Sequence, residues 1–251
     1  MRNIWFFAAS LVLVMSTIGC GRQGSVASAR KGTTLPAIGD TADYSIDSDV
    51  NAGVPDGHVP QIVGSRKYTV VESPGHGRSV PSYVTRTLDL REEIVQQLGG
   101  LSKSRVVISW LGIDASGNVY LLGEALDGVN WEVVSDTNPP VYMPAEVKPG
   151  SSWQYVAHFA GGNTESCVNN CVGSEAIITP SGTFQSLKVS YDASRTGVNG
   201  ADVRMSGHRW LGAGLPYVFE VRNEYGGKFT LGGIPVDTRT VESLQAFRLA
   251  P

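Results

Sequence analysis

From Lys67 to the end of the chain, apolar and polar residues alternate in short runs separated by glycine, proline, asparagine and serine. KYTVVES (67–73), SRVVISWLGI (104–113), SWQYVAHFA (152–160), TFQSLKVSY (183–191) and VDTRTVESLQAF (236–247) are the clearest of these. A period of two places successive side chains on opposite faces of a strand, so each run has one face to bury and one to wet. About ten strands at this spacing predict a mainly β domain: an antiparallel curved sheet, built as a half barrel or a sandwich. Thirty glycines and a charged content of only 17% suit a chain of many strands and turns. Asp114-Ala115-Ser116-Gly117-Asn118 reads as a hairpin turn, with Gly117 suited to a left-handed backbone. One stretch departs from the alternation: Leu90, Ile94, Val95 and Leu98 share a helical face, Asp89 with Glu92 can cap it and Gly99 can stop it. The spacing therefore predicts one short helix over 89–98.

The N-terminus belongs to a different kind of segment. Arg2 precedes an apolar run from Ile4 to Met15 and then small residues up to Cys20, the layout of a signal peptide. The run is about twelve residues, short of the roughly twenty that span a hydrocarbon core. Thr17-Ile18-Gly19-Cys20 resembles the bacterial lipobox, with Thr17 where leucine is usual. The expected cut removes residues 1–19 and leaves Cys20 to carry lipid, palmitate included. A cut after Ala27-Ser28-Ala29 is the alternative, but it stands further from the apolar run than a signal peptidase works. Gly21 after the cysteine resembles lipoproteins sent to the outer membrane, where the cell has one. Residues 20–64, with a single aromatic and no sustained period, read as a flexible tether, and residues 65–251 as a single β-rich domain. Within the tether, Asp47-Ser48-Asp49-Val50-Asn51 begins like a calcium loop, but Ala52 and His58 fill positions that need glycine and glutamate.

Cysteine usage fits this division. With Cys20 lipidated, Cys167 and Cys171 remain, and in an oxidising compartment they are expected to form a disulfide that pins a hairpin tip. Zinc would need more ligands than the pair offers, and a thioredoxin-like motif would have one residue fewer between the cysteines.

Little in the chain announces catalysis. His58, His76, His158 and His208 sit in no recognisable setting, and no serine-nucleophile elbow, H-E-x-x-H, phosphate loop or dinucleotide fingerprint occurs. No metal, cofactor or catalytic residue is therefore expected. The mature chain carries 19 basic against 23 acidic residues once Arg2 is removed, which disfavours nucleic acid as a partner. Glu124 and Asp127, close together in Gly123–Gly128 (GEALDG), are the carboxylates that could serve a glycan-directed hydrolase.

Four phrases in order carry a family resemblance: Asp114-Ala115-Ser116-Gly117-Asn118 leading into Val119-Tyr120-Leu121-Leu122-Gly123-Glu124, then Lys148-Pro149-Gly150-Ser151-Ser152-Trp153, then Thr179–Val189 (TPSGTFQSLKV), then Trp210–Val218 (WLGAGLPYV). Together they resemble a family of uncharacterised exported bacterial lipoproteins with D-x-x-G-N, G-x-x-W and P-x-G-x-F-x-x-x-K signatures. Pro216 comes later than the family's proline, and the stretch from Cys167 to Cys171 looks like an insert private to this chain. The resemblance implies a large curved antiparallel sheet, similar in kind to lipoprotein carriers with a half barrel, and supplies no catalytic residues. The expected function is a non-catalytic binding or scaffolding domain of the cell envelope, held to the membrane through lipid on Cys20. Its partner would be an apolar or glycan ligand or an envelope protein, met by a concave face lined with Trp110, Trp131, Trp153, Tyr155 and Trp210. The alternative is the hydrolase.

Overall fold

The computed structural model describes residues 34–52, 58–98, 101–198, 201–231 and 234–250. Thirteen strands make one antiparallel sheet: β1 (Thr41–Ala52), β2 (His58–Glu72), β3 (Val84–Leu98), β4 (Leu101–Asp114), β5 (Val119–Ala125), β6 (Glu132–Val133), β7 (Val141–Met143), β8 (Ser152–His158), β9 (Thr164–Thr179), β10 (Gly182–Val198), β11 (Ala201–Gly212), β12 (Glu220–Leu231) and β13 (Ile234–Arg248). Their order is β6-β5-β4-β3-β2-β1-β13-β12-β11-β10-β9-β8, with β7 beside β5. Neighbours in sequence are thus neighbours in space, and the first strand pairs with the last from Thr41 opposite Arg248 to Ala52 opposite Val236.

The sheet curves on itself without closing. Its two margins, β6 and β8, meet at a bridge between Val134 and Phe159. Around it Ser135 N–H donates to His158 O and Ala160 N–H to Val133 O. Among the described residues, this seam is where the ends of the sheet touch through backbone.

Alternation decides which face is buried. On β1, Ala42, Tyr44, Ile46, Ser48 and Val50 are buried on the inner face, while Ser45, Asp47 and Asp49 are exposed. The tether expected over 20–64 is corrected accordingly: Thr41–Ala52 is the central strand β1, and β2 begins at His58. Its pattern hid because Ser48 takes an inward place, hydrogen-bonded to Thr240 at 2.9 Å. The calcium-like phrase Asp47–Asn51 is extended strand. The short helix is also overturned. Residues 89–98 belong to β3, whose inner face is Leu88, Leu90, Glu92, Ile94 and Gln96. Leu90 and Ile94 fit both a period of four and a period of two, and two polar residues at inward positions concealed the latter.

Other expectations match the sequence pattern directly. Gly117 adopts φ 93° in the β4–β5 turn. There Asp114 accepts hydrogen bonds from the backbone of Ser116 and Asn118 and from the Tyr120 hydroxyl. These bonds hold the Asp114 carboxyl below its ordinary range against the opposing effect of partial burial. At Gly207 on β11 a side chain has no room, since a Cβ would lie 2.1 Å from Glu224 O and 2.8 Å from Tyr225 Cα.

Candidate functional site

Charge occupies the inner face where apolar residues would ordinarily sit. Arg66, Arg195 and Arg209 are each at most 3% exposed, as are Glu92, Glu124, Glu165, Glu220 and Glu242. Taking an ion out of water is expensive unless a partner and further hydrogen bonds replace the solvent. Three groupings do so here.

In the first, Arg66 on β2 reaches Glu92 on β3 at 2.8 Å and Glu242 on β13 at 2.7 Å, and donates to the Tyr68 hydroxyl at 3.1 Å. Tyr225 on β12 donates to the second oxygen of Glu242 at 2.8 Å. Burial pushes the Glu92 carboxyl up to about 7, and Arg66 pulls it back only in part. In the second, Arg195 on β10 bonds Glu124 on β5 and reaches Glu165 on β9 at 2.7 Å and Glu132 on β6 at 3.5 Å. The guanidinium also lies 4.6 Å from the centre of the Phe159 ring, and Tyr155 donates to Glu165 at 2.6 Å. Burial raises Glu124, with Arg195 opposing. Arg195 is the fixed positive charge that these carboxylates share. In the third, Arg209 on β11 reaches Glu220 at 3.6 Å, donates to Asn169 on β9 and lies over the Tyr191 ring. Burial lifts Glu220 to about 8.

A fourth grouping lies on the outer face, under the β2–β3 connection. His76 stacks on Trp131 with ring centres 3.4 Å apart, meets Trp110 edge-on at 5.3 Å, and shares both oxygens of Asp89 at 2.9 and 3.1 Å. Burial raises Asp89, while bonds from Ser73 and His76 lower it. Asp136 receives the backbone N–H and the ring Nδ1 of His158, and Arg78 donates to Asp136 O.

The five aromatic candidates are therefore dispersed. Trp110, fully buried, and Trp131 belong to the outer clasp with His76. Trp153 and Tyr155 face inward from β8, with Trp153 donating to Tyr142 O at 3.2 Å. Trp210 is on the outer face, bonded to Glu175 at 2.7 Å and covered by Lys188 and Arg222. A groove of about 240 Å³ opens elsewhere, between Val147–Pro149, Ser174, Gln185–Leu187, Leu211 and Ala213, and none of the five lines it.

Glu124 and Asp127 are not brought together. Glu124 faces Arg195, whereas Asp127 is a turn residue whose carboxylate accepts from the backbone of Val129 and Asn130. The disulfide is corrected as well: Cys167 and Cys171 are both free, both buried and both on the inner face of β9. Four residues of extended strand separate their Cα atoms by about 13 Å, and a disulfide needs less than about 7 Å. Burial raises the Cys167 thiol to about 11, so it is no ready nucleophile. Of the histidines, His76 and His158 have the partners given above, and His208 lies 6.2 Å from Trp210, ring centre to ring centre. Cys20 and residues 1–19, expected to be a signal peptide, lie outside the described residues.

Sequence reasoning missed the buried arginines because a charged residue in an alternating run is read as outward. The available signal was their phase: Arg66 alternates with Ile62, Tyr68 and Val70, and Arg195 with Val189, Tyr191 and Ala193.

No protein-family model matches the chain, and no curated protein matches it. Two solved structures align with it. One is an exported-protein candidate with a YmcC-like fold from Bacteroides fragilis, at 14% identity and a TM-score of 0.40. The other is a lipoprotein candidate from Parabacteroides distasonis, at 16% identity and a TM-score of 0.36. Each alignment covers 87% of this chain and 100% of the other.

Proposed function

We propose that this chain is an exported cell-envelope lipoprotein, anchored through Cys20, whose β domain binds or scaffolds through its outer surfaces rather than carrying out a reaction. The observation that carries the reading is the pairing of the interior. Arg195 takes up Glu124 and Glu165, and Arg66 takes up Glu92 and Glu242. The carboxylates most able to act as acid or base are thus spent on holding strands together. A glycoside hydrolase needs two carboxyl groups facing a shared space about 5–9.5 Å apart. Glu124 and Asp127, the pair on which that alternative rested, have separate partners. The five aromatics are divided between the outer clasp, the inward face of β8 and a covered site beside Glu175, so they do not line one concave face; an envelope protein or the membrane, met by the outer surface, is the partner of this reading.

The anchor is tested by fractionating cells that express the full chain or Cys20→Ser, with an alkyne palmitate analogue as label. The expected result is label and membrane retention in the wild type and loss of both in the variant. Unchanged retention of Cys20→Ser would overturn the anchor. The non-catalytic reading is tested by incubating the purified domain with envelope glycan, expected to release no product. Hydrolysis that is lost in a Glu124→Gln variant shown to be folded would overturn it.

A further inference from the structure

One end of the curved sheet exposes a group of large apolar side chains. That end carries Thr34–Asp40, the β2–β3 connection, the β4–β5 turn and the β9–β10 turn. At this end, among the described residues, Leu35, Ile38, Val80, Tyr83 and Ile178 are large apolar side chains between 38% and 79% exposed. Of the remaining exposed large apolar residues among those described, Val63, Val156, Val168 and Val172 stand on strands along the outer face, and Leu101 at the start of β4 and Val129 in the β5–β6 turn lie at the opposite end. The first four at the rim are tied into one region. Arg86 at the start of β3 donates to Pro36 O at 2.8 Å. Thr34 pairs with Leu215 and Tyr217. Tyr83 packs on Tyr120 with ring centres 5.1 Å apart, and Leu35 lies against Gly117 in the same turn as Tyr120. The segment is thus fixed to the fold while its apolar side chains face water.

The chain enters the fold at this rim. Cys20 is fourteen residues before Thr34, a span of at most about 50 Å when fully extended. Between the two lie Arg22, Arg30 and Lys31 and no acidic residue, which complements anionic lipid headgroups. An exposed apolar rim beside a basic, lipid-bearing leader fits a bilayer surface better than it fits free solvent. We infer that the end of the sheet bearing Leu35, Ile38, Val80 and Tyr83, with Ile178 at the tip of the β9–β10 hairpin, docks on the headgroup region of the membrane to which Cys20 is attached. The domain then sits on the bilayer in one orientation, presenting the opposite end and the outer face to partners. This rests on the lipoprotein reading above and adds the surface that meets the lipid.

Photo-crosslinking separates the two. Full-length lipidated protein with Ile38→benzoylphenylalanine or Val80→benzoylphenylalanine is reconstituted in vesicles of phosphatidylethanolamine and phosphatidylglycerol, and Val156→benzoylphenylalanine serves as an equally lipidated control. Phospholipid adducts are expected at 38 and 80 with at least fivefold the yield at 156. The double substitution Leu35→Ser/Ile38→Ser is expected to lower the yield at 80 severalfold while the protein still floats with the vesicles. Flotation without adducts at 38 and 80, or adducts to a second copy of the chain in their place, would overturn the docking and leave the anchor standing. A chain that stays soluble would overturn both.

Discussion

The Arg66 and Arg195 knots use the same residue types, yet they join different kinds of neighbours. Arg66 connects β2, β3 and β13, strands that already belong to one continuous ladder around β1. Arg195 connects β9 and β10 with β5 and β6, which lie at opposite ends of the strand order. Among the described residues, backbone pairing joins those ends through the Val134–Phe159 bridge and the few hydrogen bonds beside it. The first knot thus reinforces what hydrogen bonds secure, and the second spans what they leave open. An open antiparallel sheet has two edges to manage; here charge crossing the interior holds them near each other.

Removing one partner of a buried pair leaves the others as uncompensated charges, which costs about 3–5 kcal/mol. Arg66→Met is expected to show the largest effect, a loss in that range spread over the whole domain, because its strands unfold as one ladder. Chemical denaturation would check it, and a loss below about 1 kcal/mol would show that the knot is incidental. Arg195→Met should fall near the lower end of the range, since Glu132 at 30% side-chain exposure keeps one member of that knot close to water. Its distinguishing mark is locality: faster proteolysis or exchange over 132–135 and 158–160 while β1 and β13 are unaffected.

A smaller effect follows from pH. Glu92 near 7, Glu220 near 8, and Glu124 and Glu242 raised by burial all hold protons in the folded state at pH values where the unfolded chain, titrating near 4.3, has released them. More protons bound in the native state means stability that is fully present below about pH 4.5 and lost as pH rises through 7 to 8. Thermal midpoints are expected to fall by several degrees between pH 5.5 and 8.5, and Glu92→Gln should flatten the slope. Both arginine substitutions should cost less at pH 5.5 than at pH 8.5, since protonated carboxyls need no partner. A midpoint that rises across this window would contradict the assignment. The smallest effect concerns the cysteines: reductant should leave the midpoint unchanged, and Cys167→Ala should cost about 1 kcal/mol. A drop on reduction would restore the disulfide.

The strands beyond Lys67 were legible because their outward residues are polar and their inward ones apolar, and the Asp114–Asn118 turn was legible from Gly117. Legibility failed where an inward position is polar. Ser48 concealed β1, Glu92 and Gln96 turned β3 into an apparent helix, and Glu124 looked like a free carboxylate. The tryptophans could not be assigned to a face for a different reason. Trp110 and Trp210 keep the phase of their own strands, and what packs on them, His76 on Trp110 and Lys188 and Arg222 on Trp210, comes from other strands and connections that the local alternation does not reveal. Arg195 and Glu124 are 71 residues apart and eight strands apart in the sheet order, so their pairing follows from curvature alone.

Residue-resolved hydrogen exchange on the wild type, Arg66→Met and Arg195→Met tests the crossing of the interior by charge most directly. In Arg195→Met the amides of Ser135 and Ala160 are expected to exchange at least tenfold faster while those of β1 keep their wild-type rates, and in Arg66→Met the two sets should accelerate together. Equal acceleration of both sets in Arg195→Met, or none at the seam, would contradict the account.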